Sequence, residues 1–256
     1  MFPIGDDNSD RTITPIVNYA LIAVNILVFV FLQGLGSNDR FTYAYSTVPY
    51  EIINNKDVAT PDRVVEHPVT GQRVEVPGLQ PTPFSVYLTL LTSMFMHGGF
   101  AHLFGNMLFL WIFGDNLEDA LGHGRYLIFY LVTGLLASLA HVMTTAAFAT
   151  NASELLIPSL GASGAISGVL GGYLLLFPWR KVRAFVLNIL MSVPAWAAVG
   201  MWFAFQLISG LGMLGGGSQK GGVAYAAHIG GFVAGLVLVK FFAIGRRPAT
   251  SGTRTY

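Results

Sequence analysis

Long apolar stretches alternate with shorter polar segments along the chain, and this pattern predicts six membrane-spanning helices. Each apolar stretch holds about 20 residues with few charges, the length at which an α-helix crosses the hydrocarbon core of a bilayer. Pro194 lies within the fifth stretch and predicts a kink or a break there. The predicted spans are residues 15–34, 100–117, 125–149, 159–177, 184–210 and 222–244.

The segments between the spans carry their own predictions. Residues 35–83 form a long polar loop, and within it residues 64–76 are typical of a β-hairpin because apolar and polar residues alternate on both sides of a Pro/Gly turn. The apolar run from 84 to 113 is too long for one simple span and is interrupted at His97-Gly98-Gly99. We therefore expect a short interfacial helix over residues 84–96. The glycine-rich residues 215–221 predict a flexible link.

The basic residues in short loops predict the orientation of the spans. Residues 178–183 carry three bases and no acid, and the tail 245–256 carries three more bases, so both are expected on the cytoplasmic side. Six spans then place the N-terminal segment 1–14 on that side too, and the loop 35–83 outside. Residues 114–125, with three acids and one base, argue weakly against this orientation.

These features predict an all-α, polytopic membrane protein in three parts: the N-terminal segment 1–14, a six-helix membrane domain over 15–244 that includes the external loop 35–83, and the polar tail 245–256. The acidic N-terminus has no basic region or cleavage site of a signal peptide. A short N-terminus without a transit peptide favours a bacterial plasma membrane. Only 11% of the residues are charged, against about 25% in an average soluble domain.

Composition also excludes several functions. The chain has no cysteine, which excludes disulfides, thiolate chemistry and cysteine-bound metals. The net charge is +1 and no basic stripe is present, so nothing indicates nucleic-acid binding. We expect no metal and no other cofactor. The oligomeric state is open.

Ser163 is the strongest candidate for a chemical role. It lies between Gly161 and Gly164, where the chain enters an apolar helix, a setting typical of a nucleophilic serine. Serine is a poor nucleophile without a base, and His228 is the one histidine in the last hundred residues. No acid follows Glu154. The sequence therefore predicts a Ser–His dyad rather than a triad.

The predicted topology places four polar side chains at one depth. Spans two, four and six all run inward from the outer face, and Ser163, His228, His102 and Asn106 lie about three to seven residues from the starts of those spans. At 1.5 Å per residue they would share a layer roughly 5–11 Å below the outer surface. His102 and Asn106 are spaced i, i+4, so both could donate to a developing oxyanion, together with the N–H of Ser163.

Glycines on spans four and six would allow these side chains to meet. Gly164, Gly168 and Gly172 recur every four residues on span four, and Gly231 and Gly235 do so on span six. Such faces let membrane helices approach closely. A hydrogen bond between Ser163 and His228 would need that approach.

Three motifs together resemble the rhomboid family of intramembrane serine proteases: Gly161-Ala-Ser-Gly164, Ala227-His228-Ile-Gly230 followed by Gly235, and His97-x₄-His102-x₃-Asn106. The resemblance covers about residues 84–244. It implies a rhomboid-like six-helix bundle that cleaves single-span or polytopic membrane-protein substrates within the lipid bilayer.

The resemblance also implies roles for individual residues. Ser163 would be the nucleophile and His228 the base. His102, Asn106 and Gly161 would stabilise the oxyanion or the substrate. His97 would lie nearby in a water-accessible position, where it could position water or simply be placed at the membrane interface.

The chain departs from the family pattern at two places. Some members carry an aromatic residue that stacks on the base four positions after the serine, where this chain has Ser167. We expect Ser167 to be a packing residue or to bond a backbone carbonyl. The Trp-Arg pair common in the family's first loop is absent, and Leu88-Thr89 stands nearest to its place.

Other functions are weaker alternatives. A metal or haem protein could use His97, His102, His141 and His228, but no His-Glu-x-x-His motif is present. A relative that binds membrane segments without cutting them would not need both dyad residues. A transporter would be expected to carry intramembrane acids for ion coupling. Trp111, Trp179, Trp196 and Trp202 are interpreted as lipid-facing or interfacial aromatics.

Overall fold

The computed structural model describes residues 2–66, 73–187, 189–214 and 225–245. It is a helical bundle with two small antiparallel sheets. The helices are α1 (Ile16–Leu27, continued by a π turn over Val28–Leu32), α2 (Asp39–Tyr45), α3 (Pro49–Asn54), α4 (Thr89–Thr92), α5 (Phe100–Leu121), α6 (His123–Phe148), α7 (Ser163–Leu176), α8 (Ala195–Leu214) and α9 (Tyr225–Ala243). The strands are β1 (Phe2–Asp6), β2 (Arg63–Glu66), β3 (Arg73–Val76), β4 (Lys181–Val186) and β5 (Ile189–Pro194).

Two helices of the described chain, α6 and α9, are long and apolar enough to cross a membrane by length and composition. Shorter apolar helical stretches cover Ile16–Leu32, Val86–Phe95, Ser163–Leu176 and Ala195–Leu211. The helical bundle agrees with the predicted fold class. The count of six spans stays a prediction from the sequence.

Several predicted elements occur with shifted boundaries. Helix α5 continues to Leu121, so most of the predicted loop 114–125 is helical and only Gly122 separates α5 from α6. Helix α7 begins at Ser163, later than the predicted start of its span at 159, so Ser163 is the first residue of the helix rather than about the fifth. The predicted hairpin is present, because Arg63 pairs with Val76 and Glu66 with Arg73. Its turn and the predicted link 215–221 lie outside the described residues, as does the tail from residue 246.

The predicted start of the fifth span was wrong, because residues 184–186 and 189–194 are strand rather than helix. Strands β4 and β5 form an antiparallel hairpin, and α8 begins only at Ala195, directly after Pro194. Val182 and Ala184 are buried while Arg183 between them is exposed, which is the alternation of a strand. An average of apolar content over a window cannot distinguish such a hairpin from a span.

The N-terminal segment is part of the same sheet. Strand β1 pairs antiparallel with β4, with Phe2 opposite Phe185 and Asp6 opposite Val182. The strand order is β1-β4-β5. Residues 2–6 are therefore joined to the chain that connects α7 to α8, and are not a separate polar segment.

Helix α7 is the centre of the bundle and packs against α5, α6, α8 and α9. Every residue from Gly164 to Tyr173 on this helix is buried. Large aromatic side chains from the neighbouring helices complete the core around it, including Phe113, Tyr126, Phe129 and Phe232. A rigid α7 holds the backbone of Ser163 at its first residue.

The close approach of α7 and α9 depends on glycine. A Cβ at Gly231 would lie 2.1 Å from the carbonyl oxygen of Gly164, and a Cβ at Gly235 would lie 2.0 Å from that of Gly168. Real Cβ atoms do not come this close, so the glycines of α9 pack on the backbone of α7. The space beside Gly164 and Gly168 themselves is filled from α6, by Ala137 and Thr133 respectively. Gly172 packs near side chains of α5, α6 and α9.

Candidate active site

Ser163 and His228 form a direct hydrogen bond across the α7–α9 interface. The distance from Ser163 Oγ to His228 Nε2 is 2.7 Å. Ser163 is the first residue of α7 and His228 lies in the first turn of the described part of α9. The glycine contacts between these helices bring the two side chains within this range, as a nucleophile and its base require.

The other ring nitrogen of His228 has a partner on α8. Nδ1 of His228 lies 2.8 Å from Oε1 of Gln206, whose side chain is 6% exposed. The rings of Trp202 and Tyr225 flank the imidazole, with centroids 6.1 and 6.4 Å away. The histidine is therefore oriented by an amide and by two aromatic side chains, none of which comes from the position of Ser167.

Ser167 instead bonds the backbone, as predicted. Its Oγ donates to the carbonyl oxygen of Ser163 at 2.6 Å, one turn back along α7. Ser167 is fully buried. It contributes to the first turn of α7 and has no described hydrogen bond to His228.

His102 faces the same point in space as Ser163. The N–H of Gly98 donates to Nδ1 of His102 at 3.3 Å. An imidazole that accepts at Nδ1 carries its proton on Nε2 when neutral, which makes Nε2 a donor. Nε2 of His102 and Oγ of Ser163 lie 3.0 and 3.6 Å from the position that a Cβ of residue 161 would occupy.

Gly161 keeps that position open. Its φ of +131° lies in a region that side-chain-bearing residues avoid, and a Cβ there would also lie 2.9 Å from Cε1 of His102. The N–H of Gly161 donates to the carbonyl oxygen of Ser93 at 2.9 Å. Because that N–H is engaged, Gly161 contributes space at the site rather than a donor to an oxyanion.

Two further donors lie around this position. Asn106, one turn after His102 on α5, is buried, and its Nδ2 has no hydrogen-bond partner among the described residues. The N–H of Ser163 belongs to the first turn of α7, where backbone donors have no intrahelical acceptor. A buried, unpartnered amide is a donor available to a ligand.

His97 is buried rather than water-accessible, contrary to the expectation from the resemblance. Its side chain is 1% exposed, and neither ring nitrogen has a described partner. The Gln33 side chain bonds the backbone of His97: it accepts from the N–H and donates to the carbonyl oxygen, both at 2.9 Å. With its backbone held in this way, the His97 ring packs edge-on against the His102 ring, with the ring centroids 5.2 Å apart. His97 therefore contacts His102 as a packing residue.

A small cavity lies beside Ser163. It is lined by side chains and backbone from α6, α7 and the segments before them, and it has room for about one water molecule. His141 lines this cavity. The polar side chains around it are Thr47, Ser93, Ser138, His141 and Ser159.

Sequence reasoning missed three residues of this site. Gln206 is an amide within an otherwise apolar helix, a signal that could have identified it. Gln33 lies near the end of the first apolar stretch and is fully buried. Trp202 was interpreted as a lipid-facing aromatic, yet its ring packs near His228. Among the described residues there is no cluster of three or more His, Cys, Asp or Glu side chains suited to a metal ion.

Comparison with known proteins places this arrangement in a family. The model of the rhomboid domain matches residues 85–244, which include every site residue named above except Gln33 and Thr47. The chain belongs to the rhomboid family. It is accordingly a multi-pass membrane protein.

Several relatives are similar over most of this chain. It is 36% identical over 221 residues to Rhomboid protein 1, mitochondrial, of Saccharomyces cerevisiae; the aligned region covers 86% of this chain and 51% of the relative. It is 36% identical over 163 residues to Rhomboid protease GluP of Bacillus subtilis, where the aligned region covers 62% of this chain and 28% of the relative. For Rhomboid-like protein 11, chloroplastic, of Arabidopsis thaliana, the identity is 31% over 164 residues, covering 61% and 52%. The chain thus spans about half or less of these relatives' own length.

Proposed function

We propose that this rhomboid protein is an intramembrane serine endopeptidase that hydrolyses peptide bonds in or next to the transmembrane segments of membrane-protein substrates. The observation that carries the proposal is the 2.7 Å hydrogen bond between Ser163 Oγ and His228 Nε2. A serine hydroxyl bonded to an imidazole nitrogen is the arrangement that activates the hydroxyl as a nucleophile. The name of the Bacillus subtilis relative, Rhomboid protease GluP, agrees with it.

In the first step, Nε2 of His228 takes the hydroxyl proton as Ser163 Oγ attacks the carbonyl carbon of the scissile bond. The carbonyl oxygen becomes an oxyanion. Nε2–H of His102, the amide of Asn106 and the N–H of Ser163 are the donors placed to stabilise it. Donors of this kind typically contribute about 10²–10³ to kcat each.

The intermediate then collapses to an acyl-enzyme. The C–N bond breaks, and the leaving amine takes the proton that His228 holds. In the second half of the reaction, a water molecule attacks the ester while His228 accepts its proton, and Ser163 is regenerated as the acid leaves. The polar cavity beside Ser163 is a suitable reservoir for that water.

The proposal includes a location for this chemistry. We propose six spans, with both termini on the cytoplasmic side and the site toward the outer face of the bilayer. Substrates would be single-span or polytopic membrane proteins that reach the site within the lipid. The relatives come from a bacterium, a mitochondrion and a chloroplast, so the bacterial plasma membrane is a prediction of the sequence alone.

The deciding experiment uses purified protein in liposomes with a generic single-span substrate. Wild type is compared with Ser163→Ala, and products are read by gel and mass spectrometry. We expect wild type to cut within or at the edge of the span and Ser163→Ala to leave the substrate intact. Equal cutting by both would refute the proposal. Binding of the substrate without cutting by either protein would indicate a relative that binds membrane segments only.

A further inference from the structure

The partner of His228 on the side away from Ser163 is a neutral amide. Oε1 of Gln206 lies 2.8 Å from Nδ1 of His228, and the sequence contains no acid after Glu154. We propose that Gln206 is the positioning residue of the dyad and accepts a hydrogen bond from Nδ1–H of His228. This inference rests on the proposed protease function.

The argument concerns which nitrogen of the imidazole carries the proton. A neutral imidazole has one N–H and one unprotonated nitrogen. His228 can take the proton of Ser163 only if Nε2 is the unprotonated one, so the proton must be on Nδ1. An acceptor placed at Nδ1 stabilises that tautomer, and the carbonyl of Gln206 is such an acceptor.

The same helix also restrains the ring itself. Trp202 and Gln206 are spaced i, i+4 on α8, so they present one face to His228. The Trp202 ring also packs near Phe232, one turn after His228 on α9. Packing by Trp202 and Tyr225 limits the tilt of the imidazole, but only Gln206 among these three bonds Nδ1.

An amide suits this place better than a carboxylate for a physical reason. Gln206 is buried, and a charged group there would carry a large desolvation cost at rest. An amide carbonyl costs less to bury and still stabilises the imidazolium that forms during the reaction. The chain would thereby hold its base correctly without an intramembrane acid.

The first test separates an acceptor role from a merely structural one. Gln206→Leu removes the acceptor and keeps an apolar side chain of similar bulk. Gln206→Glu retains an acceptor whether or not the carboxyl is protonated. Ser209→Ala, three residues later on α8, is the matched control.

We expect Gln206→Leu to lower kcat by about 10- to 100-fold with KM unchanged, the range typical of lost supporting hydrogen bonds. Gln206→Glu should retain kcat within about fivefold of wild type, and Ser209→Ala should match wild type. A kcat for Gln206→Leu within twofold of wild type would overturn the inference. Equal loss in the Leu and Glu variants would overturn it too.

The second test does not depend on substrate. Protein labelled with ¹⁵N-histidine reports the tautomer of each ring by NMR, and His228→Ala assigns the signal. We expect wild type to carry the proton on Nδ1 and Gln206→Leu to show a mixture of tautomers. An unchanged tautomer in Gln206→Leu would contradict the positioning role, whereas a failure of proteolysis in wild type would contradict the proposed function.

Discussion

The two ends of the bundle use polar groups in opposite ways. Around Ser163 the polar side chains named above are hydroxyl, imidazole and amide groups from α5, α7, α8 and α9, and none of them is a carboxylate or a guanidinium group. At the other end of α5 and α7, carboxylates and guanidinium groups form a dense network. There Arg11 binds Asp115 at 2.7 Å, and Arg180 binds Asp10 at 2.7 Å.

This network, at the inner end of the bundle in the proposed topology, joins the N-terminal segment to the bundle. Asp6 of β1 accepts hydrogen bonds from Asn116 of α5 at 2.7 Å and from Tyr173 of α7 at 2.5 Å. Asp119 accepts from the backbone N–H groups of Thr12 and Ile13. These acids explain why residues 114–125 appeared to conflict with the predicted orientation, because each of Asp115, Glu118 and Asp119 has a structural partner.

Glu118 is the clearest example of a buried acid with fixed partners. It is fully buried, and its two carboxylate oxygens accept from the N–H groups of Val17 at 3.0 Å and Asn18 at 2.7 Å. Helix α1 has no side-chain cap of its own at Pro15. The carboxylate of Glu118 therefore completes the first turn of α1, where the helix dipole favours a negative charge.

The comparison teaches where charge is tolerated. Buried charges such as that of Glu118 persist at the inner end because they have fixed partners in the folded state. At the candidate site, charge would form only in the transition state, so the resting groups are neutral and the donors are already in place. We expect changes at the site to affect rate, and changes at the inner end to affect stability.

The largest expected effect is that of His228→Ala at the site. Cleavage should fall by at least about 10³-fold, because Ser163 loses its base. The melting temperature in detergent should stay within about 3 °C of wild type, since His228 is only partly buried. Full activity in this variant would exclude the dyad.

At the inner end, Glu118→Ala should show the opposite behaviour. It leaves the N–H groups of Val17 and Asn18 without their acceptor, and we expect a loss of about 2–4 kcal/mol in the free energy of unfolding. Glu118→Gln, which retains one carbonyl oxygen, should lose less. Cleavage per folded molecule should remain near that of wild type. A Glu118→Ala protein with the stability of wild type but without cleavage activity would contradict this division of roles between the two ends.

The smallest expected effect is a pH dependence of stability at Asp6. Burial raises the pKa of Asp6 to about 7, with a further rise from Asp115, while the hydrogen bonds from Tyr173 and Asn116 and the charge of Arg180 act in the lowering direction. Because the pKa of Asp6 is raised in the folded state, protonated Asp6 stabilises the fold. This contribution to the free energy of unfolding is fully present below about pH 4 and is lost as the pH rises to about 7.

Asp6→Asn should therefore flatten the dependence of unfolding free energy on pH between pH 5 and pH 8, by about 2–3 kcal/mol. The control is Asp39→Asn, which replaces an exposed acid of the segment 35–83. Thermal unfolding in detergent at several pH values measures both. A slope that Asp6→Asn leaves unchanged would mean that another group titrates.

Sequence patterns predicted much of the fold but not its pairing. The apolar runs identified α1, α5, α6, α7 and α9 because helical spans are a local property of composition and length. The three-stranded sheet was not predicted, because β1 and β4 are about 180 residues apart in the chain and neither strand is stable alone. The start of the fifth span was misplaced for a local reason, because the β4–β5 hairpin is as apolar as a span.

The sequence alone determined which chemistry the chain could carry. Without cysteines, and without acids after Glu154, a serine and a histidine near the starts of two glycine-rich helices were the available nucleophile and base. The tertiary structure alone decided how those groups are held: Gln206 against Nδ1 of His228, Gln33 around His97, and the inner network around Asp6. The types of polar residue can be read directly from the sequence, whereas the partners of buried polar groups depend on which distant segments pack together.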